Sequence, residues 1–151
     1  MRNYKVWIIL IMIVSFWGCE RKIDLGVHEV HWDRDMCVRC KMVVSDRQYA
    51  AQTTDPTTGR AYYFDDIGCV VLWLEEDKIA WAERAIIWVT DVNSGEWINA
   101  REAKWSTISI TPMAFGYAAH KAGSEPRSEI IDYDEMAKRA IILEAKKKKR
   151  Y

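Results

Sequence analysis

Residues 35–46 read "DMCVRCKMVVSD". Two residues separate Cys37 from Cys40, and one separates Cys40 from Met42. Three chemistries use such a motif. In thiol–disulfide exchange the first thiolate attacks and the second resolves, which needs a thiol acidified by a helix N-terminus or a nearby cation. The context is poor for that, because a polar stretch precedes the motif and β-branched Val43 and Val44 follow it. A structural zinc site wants four ligands, with a second Cys or His pair at short spacing. Here Cys69 is alone, and His28 and His31 precede the motif. The third chemistry is a soft-metal clamp. Thiolate and thioether ligands select Cu(I), which accepts low coordination numbers. Met42, Met36 and Met113 are the thioethers at hand. Met113 follows Pro112 in a segment that reads as a loop, whereas Met136 falls on a helical pattern and reads as core filler.

The remaining reactive side chains have plainer readings. Cys69 sits between Gly68 and an apolar run and reads as a small buried hydrophobe, with a ligand or reactive role as the alternative. Asp65 and Asp66 read as helix caps. Adjacent residues do not face each other across a substrate, so the pair does not suggest a hydrolase. His28 and His31 read as bystanders in a polar segment. His120 would supply a nitrogen ligand if its strand folds back near Met113. Trp32 is close enough in sequence to shield a bound ion from water.

Charge and compartment narrow the field. Lys plus Arg and Asp plus Glu number 22 each. A nucleic-acid binder normally shows a basic surplus, so the balance argues against that class. Arg2 and Lys5 precede the 13 uncharged residues "VWIILIMIVSFWG". A spanning helix needs about 20 apolar residues, so residues 1–18 read as a signal segment. Cys19 directly after Gly18 suggests lipidation of a bacterial lipoprotein, although Phe16 and Trp17 are bulkier than usual there. An uncleaved anchor or ordinary secretion are the alternatives. All three put the remainder outside the cytoplasm, where thiols tend to pair. With Cys19 lipidated, Cys37, Cys40 and Cys69 remain, and an odd thiol is left for chemistry.

Elements that could position these groups follow. Residues 19–34 read as a polar tether and 35–151 as the folded domain. "DPTTG" carries turn chemistry between two strand-like runs, 46–54 and 60–66, which predicts a hairpin. Ile67, Val70, Val71 and Leu74 fall at helical spacing behind the Asp pair. Residues 85–92 read as a buried strand, 92–96 as a turn, and 96–100 as a short strand. Residues 104–110 alternate as a strand would. Residues 132–149 read as a helix with acidic residues early and Lys late, as the helix dipole favours. The basic run at 146–150 reads as a solvated end that could also touch anionic lipid. The result is α+β, two modest units with hairpin-like strands and a helix each.

"MCVRCKMVVSDRQYAAQ", "YYFDDIGCVVLWLEE", "VTDVNSGEWINAREA" and "TPMAFGYAA" occur in the same order as matching segments of the NosL family, lipoproteins encoded with the nitrous oxide reductase system. The resemblance spans roughly residues 36–120. It implies an extracytoplasmic, membrane-anchored Cu(I)-binding protein that hands copper to nitrous oxide reductase and is not an enzyme. It also implies two ββαβ-like units, similar to part of organomercurial lyase. The family's C-x-x-C-G-M falls on Cys37, Cys40 and Met42, and its late metal-binding Met falls on Met113. Lys41 and Ala114 stand where the family usually has Gly, which strains the loops if those positions take positive φ. A different copper acceptor, or thiol–disulfide exchange by the C-x-x-C pair, are the alternatives.

Overall fold

The computed structural model describes residues 22–150. The signal segment expected at 1–18 and the lipidation expected at Cys19 lie outside the described residues. Among the described residues, two antiparallel sheets and two α-helices make an α+β fold. The first unit holds β1 (Ala51–Thr54), β2 (Ala61–Phe64), helix α1 (Ile67–Glu76), β3 (Ile87–Thr90) and β4 (Trp97–Asn99), with strand order β2-β1-β3-β4. The second holds β5 (Lys104–Ser106), β6 (Ala118–His120), β7 (Ile130–Ile131) and helix α2 (Tyr133–Lys148), with strand order β6-β5-β7. This is compatible with two small ββαβ-like units, the first carrying an added edge strand.

The β1–β2 hairpin forms where the Asp-Pro turn predicts it. The Thr57 amide and hydroxyl both donate to the Asp55 carboxylate, at 2.7 and 2.6 Å, and Gly59 takes φ 75° to close the loop. Ala51 then faces Phe64 and Val89 across the sheet, while Gln52 faces Tyr63 and Trp88. Strand alternation sends these two rows to opposite faces. The first row meets α1, which is buried from Ile67 through Leu74 and is apolar on every side. A helix of that kind must lie between layers, and α1 packs between the sheet and α2. The Trp73 ring seats it against Tyr62 and Phe64, at centroid distances of 4.8 and 5.4 Å.

The second row is covered by the segment read as a tether. Gln52, almost fully buried, accepts the His28 amide at 2.8 Å and donates to the His28 carbonyl at 3.1 Å. The Trp88 indole donates to the Leu25 carbonyl (2.9 Å), and the Tyr63 hydroxyl donates to Glu29 (3.1 Å). Leu25, His28 and Glu29, expected in a tether that ends at residue 34, are therefore bonded to the sheet. The segment looks polar because its backbone, not its side chains, satisfies buried donors and acceptors of the sheet.

Two further differences matter for the site. The strand expected over 104–110 ends at Ser106, because its partners β6 and β7 pair only with Lys104–Ser106. Thr107–Gly116 leaves the sheet as a loop. Helix α2 starts at the Asp132 cap, which accepts the Glu135 amide at 2.9 Å. Its basic end is partly engaged rather than simply solvated. Lys147 donates to the Met113 carbonyl (3.2 Å), and Lys148 pairs with Glu76 (2.9 Å).

Candidate metal centre

The C-x-x-C segment forms a tight turn. The Cys37 amide donates to the Met42 carbonyl (2.8 Å), the Lys41 amide donates to Cys37 (3.0 Å), and Met36 bridges Val43. The Val38 amide fastens the turn to β2 through the Tyr63 carbonyl (3.0 Å). Arg39, between the cysteines, fastens it to both helices. Its guanidinium grips Glu76 with two bonds, 2.9 and 3.2 Å, and Glu144 with one of 2.9 Å. This pairing holds the Glu76 carboxyl down at about 2.

Opposite the turn lies the start of α1. Asp66 caps it by accepting the Gly68 amide at 3.0 Å, and its second oxygen accepts the Met113 amide at 3.1 Å. Asp65 precedes the cap and Cys69 lies in the first helical turn. The sulfur atoms of Cys37, Cys40 and Cys69 and a carboxylate oxygen of Asp65 all lie within 4.8 Å of one another. This cluster could hold a metal ion. Cys37, Cys69 and Asp65 are buried, and Cys40 is partly open to solvent.

Burial and mutual contact shift the three thiols in opposite directions. The Cys69 thiol hydrogen-bonds to Cys37 and pulls its pKa down to about 7; backbone amides of Cys40 and Asp65 add to this against the opposing effect of burial. Burial, reinforced by Cys37, pushes Cys40 up to about 12, and its hydrogen bond to Cys37 raises Cys69 further. Asp65 is 2% exposed, and among the described residues its carboxylate receives weak thiol hydrogen bonds, from the Cys40 S–H at 3.3 and 3.5 Å and from Cys37. A buried carboxylate is ordinarily paired with a cation or hydrogen-bonded more fully. A metal ion between the sulfurs would meet that need.

Of the expected ligands, Cys37 and Cys40 are brought together. Met42 belongs to the same turn but is half exposed, with 49% of its surface free. Met113 packs against the core, and its amide on Asp66 places its loop beside the Asp65–Cys69 end of the cluster. Cys69, read as core, and Asp65, read as a cap, join Cys37 and Cys40. One signal pointed to them. A helix start needs one capping carboxylate, and here there are two, followed by a thiol in the first turn. His120 is elsewhere, buried between Ser106 (2.9 Å) and Asn93 (3.4 Å). His31 lies against Asp35, and Trp32 stacks under Arg47.

Lys41 has φ 64° and Ala114 φ 56°. This left-handed region costs an L residue roughly 1–2 kcal/mol and suits glycine. Lys41→Gly and Ala114→Gly are each expected to raise unfolding free energy by about 0.5–1 kcal/mol, after glycine's greater chain entropy. The gain should be smaller at Lys41, whose ammonium reaches the Val38 carbonyl. Urea unfolding followed by Trp fluorescence measures it, and lower stability in both variants would contradict the two loop geometries.

No protein-family model and no curated protein matches the chain.

Proposed function

We propose that the chain is a Cu(I) carrier, a metallochaperone rather than an enzyme. It would pass copper to nitrous oxide reductase or a related extracytoplasmic copper enzyme, as the resemblance to the NosL family implies. The observation that carries the copper reading is the meeting of three thiol sulfurs within 4.8 Å. Soft thiolates select a soft monovalent ion. Cys40 is the member open to solvent, so an acceptor's thiolate or imidazole can reach the ion there before the carrier lets go. That is ligand exchange and needs no general base. Met113 is the candidate thioether from the neighbouring loop, with Met42 as the second candidate. Backbone that favours glycine at Lys41 and Ala114, where the family usually has Gly, supports the resemblance. Lipidation at Cys19 would hold the carrier on the extracytoplasmic face of the membrane.

Thiol–disulfide exchange fits the cluster less well. An attacking thiolate must be both ionised and reachable. Here the acidified thiol, Cys37, is fully buried, and the reachable one, Cys40, is pushed up to about 12. Asp65 favours a different second reading. Three cysteines and a carboxylate are also a closed set for tetrahedral zinc, and the metal would then be structural.

Anaerobic titration of the reduced chain with Cu(I) against a competing chelator tests the proposal, with Zn(II) in parallel. Cys37→Ala with Cys40→Ala is expected to weaken Cu(I) binding by about 100-fold or more, about 2.8 kcal/mol. Unaltered Cu(I) binding in that variant would sink the carrier reading. Zn(II) retention against a chelator that strips Cu(I) would replace it with the structural-zinc reading.

A further inference from the structure

The loop between β5 and β6 carries the two most exposed large apolar side chains among the described residues. Ile108 is 80% exposed and Ile110 is 94% exposed. The loop is tied at its base, where the Ser109 amide donates to the Gly116 carbonyl at 3.1 Å. It is also tied to the end of α2. Lys147 donates to the Met113 carbonyl at 3.2 Å, and its ammonium lies 4.6 Å over the Phe115 ring. That contact brings the helix's basic end to the isoleucine loop. Lys146, Lys149 and Arg150 are exposed there and make no ion pair among the described residues. Ile142, 44% exposed, precedes Lys146 by one turn on the same side of the helix.

We propose that this face docks on an anionic lipid bilayer. Ile108 and Ile110 enter the boundary between headgroups and acyl chains, and Lys146, Lys149 and Arg150 meet the lipid phosphates. Each half of the face asks for a different property of the partner. The isoleucines need an apolar medium, and the cations need a dense negative surface. A bilayer of acidic lipid supplies both within a few ångströms of depth. A polyanion in water would satisfy the cations and leave the isoleucines solvated. The contact is independent of the metal reading and of lipidation at Cys19. Because Met113 is bonded to Asp66, beside Asp65, docking here also fixes how the metal centre faces the membrane.

Tryptic trimming at Lys146–Arg150 reports on this face whatever else holds the chain to a vesicle. The full chain is mixed with phosphatidylglycerol vesicles or with phosphatidylcholine vesicles, and loss of the tail is followed by mass. Trimming is expected to be about tenfold or more slower on phosphatidylglycerol, with the protection lost at high salt. Ile108→Ser with Ile110→Ser keeps every cleavage site, and both positions are solvated, so the fold should stand. That variant should lose most of the protection. Equal trimming on the two vesicles overturns the proposal. So does equal slowing by soluble polyglutamate, which would assign the face to an acidic polypeptide.

Discussion

Gly68→Ala is expected to destabilise the protein by about 2–4 kcal/mol, although helix propensity alone predicts a gain of about 0.5–1 kcal/mol. A Cβ on Gly68 would lie 2.2, 2.3 and 2.6 Å from Cδ2, Cγ and Cε2 of Phe115. These are atoms of a rigid ring, and Phe115 is only 4% exposed, so it cannot swing into solvent cheaply. Its own backbone is held, since its amide donates to the Thr111 hydroxyl at 3.1 Å. Relief requires the Met113–Phe115 loop to lift from the start of α1. The loop would then lose its contact with Asp66 and its cover from Lys147.

The measurement is urea unfolding of wild type, Gly68→Ala, Phe115→Ala and the double variant. Phe115→Ala alone should cost about 3–5 kcal/mol, the usual range for a buried Phe. It also makes room for the new methyl. The double variant should therefore be no worse than Phe115→Ala, a coupling of about 2 kcal/mol or more. Additive losses, or a Gly68→Ala protein as stable as wild type, would show that the ring does not rest on Gly68.

Gly68 illustrates what the sequence could and could not say. Its neighbours announced a helix. The doubled aspartate, the apolar spacing of Ile67, Val70, Val71 and Leu74, and the turn chemistry of Asp55 to Gly59 are local signals, and α1 and the β1–β2 hairpin form where they point. The reason for the glycine itself lies 47 residues away, in Phe115. Separation along the chain hid other features too. Residues 25–30 look like a tether because the partners that bind them, Gln52, Tyr63 and Trp88, lie on strands. Strand β5 stops at Ser106 although the alternation runs on to Ile110, because pairing is set by the lengths of β6 and β7. At the metal centre, Cys37 and Cys40 were legible from spacing. Asp65 and Cys69 were signalled only by the second aspartate and the thiol behind it, because packing of the turn onto α1 is what brings them to it.

The ligand set gives the second large effect. Cys69→Ala is expected to weaken Cu(I) binding by about 100-fold or more, about 2.8 kcal/mol, whereas Met42→Leu should change it by less than about threefold. Sequence spacing alone favours the reverse, since Met42 completes the motif and Cys69 lies far along the chain. The geometry decides otherwise. Cys69 is fully buried within 4.8 Å of the other two sulfurs, and Met42 is half in water. Removing Cys69 takes away a thiolate ligand and also the hydrogen bond that acidifies Cys37. The change in volume is one sulfur atom, so the fold should survive, and unfolding in urea without metal checks that. Binding must also displace protons from Cys40 and Cys69, both of which titrate well above neutrality. Cu(I) affinity should therefore rise with pH through the neutral range, more steeply in wild type than in Cys69→Ala. If Cys69→Ala binds like wild type and Met42→Leu does not, copper sits at the outer face of the turn, and the buried cluster is only packing.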